Sequence, residues 1–215
     1  MTPDQVQALF TRADSTSAGG DFLCARWGRP IVPVVFGVDE ATLATIKGAI
    51  EAVVALAGHR MAETDPELGA NLMVFFFRDW AELPEVPNLD RLLPDLGPLC
   101  ARLEAQGANQ YRVFRFDPDG AIRAVFVFLR MDRDLAAMPA ADLALAQAAG
   151  VMLSWGDGAF AARPPLARMG GTVVLRPEIA GLIRAAYDPV LPAASRDPAH
   201  ALRLAARLGQ AGAGA

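Results

Sequence analysis

Histidine, cysteine and lysine are almost missing from this chain, and each shortage narrows the chemistry it can carry. Only His59 and His200 are present, far apart in sequence, so an imidazole-based metal site or catalytic base would have to be sparse. The two cysteines, Cys24 and Cys100, are too few for a disulfide framework and fit reduced thiols in a cytoplasmic protein; a Cys24–Cys100 bridge is the alternative left open. Lysine occurs once, and the twenty Lys and Arg residues are scattered among twenty-four Asp and Glu, for a net charge of −4. No basic block is available to neutralise phosphates, so no nucleic-acid partner is expected. No stretch approaches the ~18 apolar residues of a membrane span, and MTPDQVQALFTRADSTS has neither the basic nor the apolar region of a signal peptide. The expectation is a cytoplasmic chain without a membrane partner. Phosphate-binding glycine loops are missing too: Gly19-Gly20 and Gly170-Gly171 are isolated pairs that fit no P-loop or dinucleotide fingerprint.

What is present is apolar. A hydrophobic share of 53% over 215 residues is enough for one large core, and no break in composition divides the chain. The expected organisation is an N-terminal helical arm over residues 1–20, a single α+β domain over residues 21–209 and a disordered tail over residues 210–215. Thr2 caps a short amphipathic helix carrying Val6, Leu9 and Phe10, which STSAGGD interrupts. PIVPVVF at residues 30–36 predicts a buried strand, with Pro33 calling for a sheet edge or a bulge. After Asp39-Glu40, the residues Leu43, Ile46, Ile50, Val53 and Val54 recur at helical spacing up to a C-cap at Gly58. ANLMVFFF at residues 70–77 predicts the next strand, and Pro94 and Pro98 cut residues 84–107 into two short helices.

YRVFRF and AIRAVFVFLR flank the turn residues DPDG, a hairpin signal. Their pattern places Tyr111, Val113, Phe114, Phe116, Ile122, Val125, Val127 and Leu129 on one buried face, with Arg112, Arg115 and Arg123 nearer solvent. An Ala-rich helix follows Met138-Pro139 and carries Leu143, Ala146, Gln147, Gly150, Val151 and Leu153. Then come a long polar, Gly-rich loop over residues 154–171, a strand at residues 172–175, and helices opened by Pro177 and Pro198. Mixed order with one antiparallel hairpin argues for an α+β fold over a doubly wound sheet.

Candidate chemistry is thin. His59 follows a helix C-cap and His200 sits in the first turn of the last helix, where exposed or structural rings are the ordinary case. Cys100 lies in a Leu-rich segment and reads as an inert thiol; Cys24 stands two residues before Arg26, a cation that lowers a thiol pKa when the two meet in space. Ser154 in LSWGDG lacks the G-x-S-x-G frame of a nucleophile elbow. Acidic pairs such as Asp132 and Asp134, or Glu63 and Asp65, fit caps and solvated loops.

The order RWGRPIVPVVFG, a helix ending ALAGHRM, GANLMVFFF, a DG hairpin, LAQAAG with GDGAF, and LRPEIAGLIRAAYDPVLPAASRDPAHALRLAARL resembles an uncharacterised bacterial family with a zincin-like, metallopeptidase-type fold. In that family the active-site-type helix looks like Glu-x-x-Gln-x-x-Gly, a reduced relative of the His-Glu-x-x-His zinc helix. Laid on this chain, Gln147 and Gly150 match and the acid falls on Ala144, so Leu143, Ala144 and Gln147 stand where a zinc helix has its two ligands and its general base. The resemblance also implies export and a paired cysteine, one near Cys100 and one just before the helix, where this chain has residues such as Ala141 and Asp142. It therefore implies a degenerate member, with no metal and no cofactor, that binds an unidentified protein or small-molecule ligand. The candidate ligand-binding residues are Gln147, Trp155, Asp157, Phe160, Arg163 and Arg168. Two other readings remain at this point: a hydrolase that pairs Asp157 or another loop carboxylate with His59 or His200, and a structural protein that forms a homodimer through an exposed apolar patch near the Ala-rich helices.

Overall fold

The computed structural model describes residues 1–12 and 21–212; most of the expected break at STSAGGD lies outside them. The centre is a four-stranded mixed sheet in the order β4 (Pro33–Phe36), β5 (Leu72–Phe77), β7 (Ile122–Arg130), β6 (Gln110–Phe116). The first three strands run parallel, and β6 returns antiparallel to β7 through the expected hairpin. Pro33 lies on the edge strand β4, where its missing N–H costs no ladder bond. Three strand pairs of two or four residues surround the sheet: β1 (Thr11–Arg12) with β2 (Asp21–Phe22), β3 (Cys24–Ala25) with β10 (Ala194–Ser195), and β8 (Leu166–Met169) with β9 (Thr172–Leu175). The chain is α+β, as expected.

Both faces of the sheet are covered, which changes the meaning of the hairpin's residue pattern. Leu72 and Val74 on β5, and Val125, Val127 and Leu129 on β7, point into one core; Phe75, Phe77, Ala124, Phe126 and Phe128 point into the other. The first core lies under α2 (Glu40–Leu56), α6 (Ala140–Met152), α7 (Pro177–Ala186) and α8 (His200–Gly212), with Val6 and Phe10 of the N-terminal segment inside it. The second is closed by the 3-10 helix Trp80–Glu85, α3 (Leu89–Leu92) and α4 (Leu96–Ala105). A central strand between two cores reads as a continuous apolar run, and AVFVFL does so. On β6 the alternation therefore sends Tyr111 and Val113 to one core and Arg112, Phe114 and Phe116 towards the other. Arg112 is thus turned inward, a correction to its expected place near solvent. Arg123 is the extra residue of a bulge opposite Arg115 and Phe116 and reaches Glu67 at 3.0 Å.

Local signals account for most helix ends. Thr2 and Gln5 form a capping box on α1 (Pro3–Ala8), Asp39 accepts the Thr42 N–H at 2.7 Å, and Gly58 takes φ +66° after α2. Three elements differ from expectation. A short helix α5 (Arg133–Ala137) precedes α6, capped by Asp132. The loop over residues 154–171 contains β8, which forms a second hairpin with β9 around Gly170 and Gly171, both at positive φ. The last helix runs past Gly209 to Gly212, and residues 213–215 lie outside the described set. Among the described residues no helix is long and apolar enough to cross a membrane.

One buried polar knot ties β4 and β5 together at their amino ends. Asn71 donates to Pro30 O and Asp65 Oδ2 at 2.9 Å each, while its Oδ1 accepts the Val32 N–H at 2.8 Å. Burial works against the charge on Asp65, but the Glu67 and Leu68 amides, Asn71 and Arg29 outweigh it and hold the carboxyl at about 2. A depressed carboxyl stabilises the fold above its unfolded pKa and loses that contribution as the pH falls through the folded one. Stability should therefore decline from about pH 4 towards pH 2 in chemical denaturation, and Asp65→Asn should flatten that decline. Asn71→Ala, which strands the Val32 amide and the Pro30 carbonyl, should cost about 2–4 kcal/mol at neutral pH.

Candidate functional site

Helix α6 ends in the core, so its last carbonyls cannot turn to water. Three aromatic donors take them: Trp155 Nε1 donates to Ala149 O at 3.0 Å, Trp27 Nε1 to Val151 O at 2.8 Å, and the Tyr187 hydroxyl to Met152 O at 3.0 Å. The same hydroxyl accepts the Trp27 amide at 3.4 Å. Ser154 accepts from Ala25 N at 2.8 Å and donates to Leu23 O at 3.0 Å, so this serine is a buried tie between segments. Gly156 donates its N–H to Leu9 O at 2.8 Å, and a Cβ there would collide with the Thr11 carbonyl.

These ties aim the chain leaving α6 across the α6-facing side of β6, and a cleft of about 1250 Å³ opens between them. Its floor is the stripe Asp142, Ala146 and Gly150, spaced one helical turn apart on α6 and mostly too small to fill the space. One wall is β6, with Arg112, Phe114 and Phe116; the other is Trp155, Asp157 and Phe160 with Arg168 from β8. Trp155 stacks on Phe10 at 5.2 Å and meets Phe160 at 5.0 Å, so the aromatic wall is anchored to the N-terminal segment.

The cleft's polar centre was not visible in the sequence. Arg112 donates to Gln147 Oε1 and to Gln110 Oε1, and Gln147 Nε2 donates to Gln110 at 2.9 Å. Arg112 Nε is buried without a partner, and Arg112 takes part in no ion pair among the described residues. Burial pushes this guanidinium down to about 10. Gly150 makes the arrangement possible: a Cβ there would stand 3.1 Å from the guanidinium carbon. Gln147 is itself buried and also borders a second, smaller cavity of about 360 Å³, between α6 and the start of α2, walled by Val38, Ile46, Phe76 and Leu143.

Of the six expected binding residues, Trp155, Asp157, Phe160 and Arg168 line the cleft, and Gln147 reaches it through Arg112. Arg163 is drawn away into an ion pair with Glu178 at 2.7 Å. A zinc ion does not fit the helix: Leu143 and Ala144 offer no donor, and the Gln147 amide is committed to Arg112 and Gln110. Among the described residues no group of three His, Cys, Asp or Glu side chains could hold a metal ion.

Neither imidazole meets a carboxylate or a thiol by hydrogen bonding among the described residues. His59 Nε2 lies 2.9 Å from Arg29 O and its ring is 5.2 Å from Tyr187; burial lowers its pKa. His200 is buried, against its expected exposure, with Nδ1 unpartnered, and burial followed by Arg203 and Arg207 lowers its pKa. Both cysteines are free: Cys24 sits in the first core, where burial pushes its thiol up to about 12 despite Arg26, and Cys100 packs on the second core and donates to Trp80 O at 3.2 Å. On α6, Leu143, Ala144, Ala148, Ala149, Val151 and Met152 are all buried.

Tyr187→Phe removes one donor to Met152 O and one acceptor of the Trp27 amide, and should cost about 1–3 kcal/mol in urea unfolding with little change in the slope. Gly156→Ala should destabilise at least as much, and its loosened N-terminal segment should show as faster amide exchange at Phe10 and Thr11. Comparison with protein-family models, curated proteins and solved structures returns no match to this chain.

Proposed function

We propose that the chain is a catalytically inactive, zincin-like relative that works as a binding module through the cleft between β6, α6 and residues 154–171. The observation that carries this reading is the fate of Gln147. It stands where the resemblance puts the second metal ligand of a zinc helix, and its amide is spent holding Arg112 on the β6 wall of a cleft of about 1250 Å³. The zincin-like part rests on the resemblance together with the place of α6, the helix matched to Glu-x-x-Gln-x-x-Gly, which lies beside a cleft of this size. The binding part rests on shape and composition. Ligand sites are concave, mostly apolar and marked by a few convergent polar groups, and this cleft combines Phe114, Phe116, Trp155 and Phe160 with Arg112 and Gln110.

The test has two readouts on tag-free protein purified without chelator. Elemental analysis should find zinc well below stoichiometric, and fluorescent casein should not be cleaved with or without added zinc; stoichiometric zinc or zinc-dependent cleavage would overturn the inactive assignment. A fragment screen read by amide NMR should cluster its shifts on β6, α6 and residues 154–171. Shifts spread over unrelated surfaces would defeat the binding assignment.

A further inference from the structure

We propose that the ligand of this cleft carries a carboxylate, held by the Arg112 guanidinium, with an apolar body laid along Phe114, Phe116 and Phe160. This deepens the reading above and rests on its cleft.

The first argument is an uncompensated charge. A half-buried guanidinium ordinarily recruits a carboxylate, because removing a cation from water without a counter-charge is costly. Among the described residues Arg112 has two neutral amides, Gln110 and Gln147, as partners, and its Nε has none. The neighbouring charges do not supply what is missing. Arg12, Arg102 and Arg168 also line the cleft, against Asp142 and Asp157, and none of the five enters an ion pair among the described residues. Arg12 rests 6.0 Å from the centre of the Phe116 ring, on Arg112's side of β6, and Arg102 5.9 Å from that of Tyr111, which turns to the other side, so each rim cation is placed by a ring. The cleft as a whole is positive, although the chain is acidic.

The second argument is the kind of anion. A planar guanidinium matches the two oxygens of a carboxylate, and its charge-assisted hydrogen bonds have the strength that holding a monoanion needs. Beyond the guanidinium the wall is aromatic: Phe114 and Phe116 stack at 6.3 Å along β6, and Phe160 faces them from the opposite side of the cleft. An organic acid satisfies both ends. Inorganic phosphate leaves the rings unused.

The third argument is that a compensated version lies one atom away. Glutamate has the shape of glutamine, and at position 147 it would place a carboxylate directly against Arg112.

Calorimetric titration and amide NMR with defined probes test the proposal. Phenylbutyrate should bind once per chain, shift resonances of Arg112, Gly150 and Phe160, and weaken with salt, whereas phenylbutyramide, which has the same body without the charge, should bind about tenfold or more weakly. Gln147→Glu should raise the melting temperature and cut phenylbutyrate affinity about tenfold or more; Arg112→Gln should cut it as well. Should Arg112→Gln fail to fold, Gln147→Glu and the acid–amide pair still decide the matter. Acetyl-Ala-Phe with a free carboxylate distinguishes sources: tighter binding than phenylbutyrate points to a peptide C-terminus and weaker binding to a free organic acid, and either supports the proposal. Equal binding of acid and amide, unchanged binding in Gln147→Glu, a preference for phenyl phosphate, or no binding of any probe at millimolar concentration would overturn it. Equal binding with shifts inside the cleft would do so while leaving the binding-module reading in place. Shifts confined elsewhere would remove both.

Discussion

The carboxyl end of α6 is the constraint on which the rest of this molecule depends. A helix that stops inside a core leaves carbonyls that water cannot reach, and each must find a donor or carry a penalty of about 1–3 kcal/mol. Here the donors are two indoles and a phenol, brought from three places: Trp155 just beyond the helix, Trp27 at the start of the domain and Tyr187 at the end of α7. Rings that fill core volume while donating a hydrogen bond do two jobs with one side chain. Because the three donors arrive from separate segments, satisfying the helix end also fixes where those segments meet. Ser154 then seizes the backbone of Leu23 and Ala25, and Gly156 that of Leu9, so the chain leaving α6 has one direction open to it, across the sheet beside β6.

The cleft is a by-product of that direction and of residue size. With the helix end pinned, Ala146 and Gly150 face β6 with too little side chain to close the gap, and Arg112 occupies part of it. A positive side chain in such a place, held by amides alone, is the opposite of what folding by itself would favour. Proteins tend to keep destabilising arrangements where binding or catalysis uses them, and the energy withheld from the fold is recovered when a ligand supplies the missing partner.

Much of the fold was legible in the sequence, because its signals were local. The capping box at Thr2, the Asp39 cap, the helix to Gly58, the DPDG hairpin and the edge placement of Pro33 all depend on a few adjacent residues. What stayed hidden depends on partners distant in sequence. Strand β8, LARM, has no dense β-branched pattern and is a strand because TVVL lies opposite it. His200 is buried by the packing of α8 against α1 and α7, which its position in a first turn does not disclose. The inward turn of Arg112 follows from a second layer of helices on the far face: once Tyr111 and Val113 pack there, alternation leaves Arg112 no other side.

The pair Gln147 and Gly150 shows the difference most clearly. Spacing alone places them on one face of a helix. The structure supplies a use for both. Gln147 grips the guanidinium and Gly150 leaves the space in which it lies, so the pair forms a cradle for a residue of another strand. Ala144, one turn before Gln147, is buried in the first core and borders the smaller cavity, so it adds no charge beside this cradle. Gln147 and Gly150 thus act as a pair, one holding the cation and the other leaving room for it.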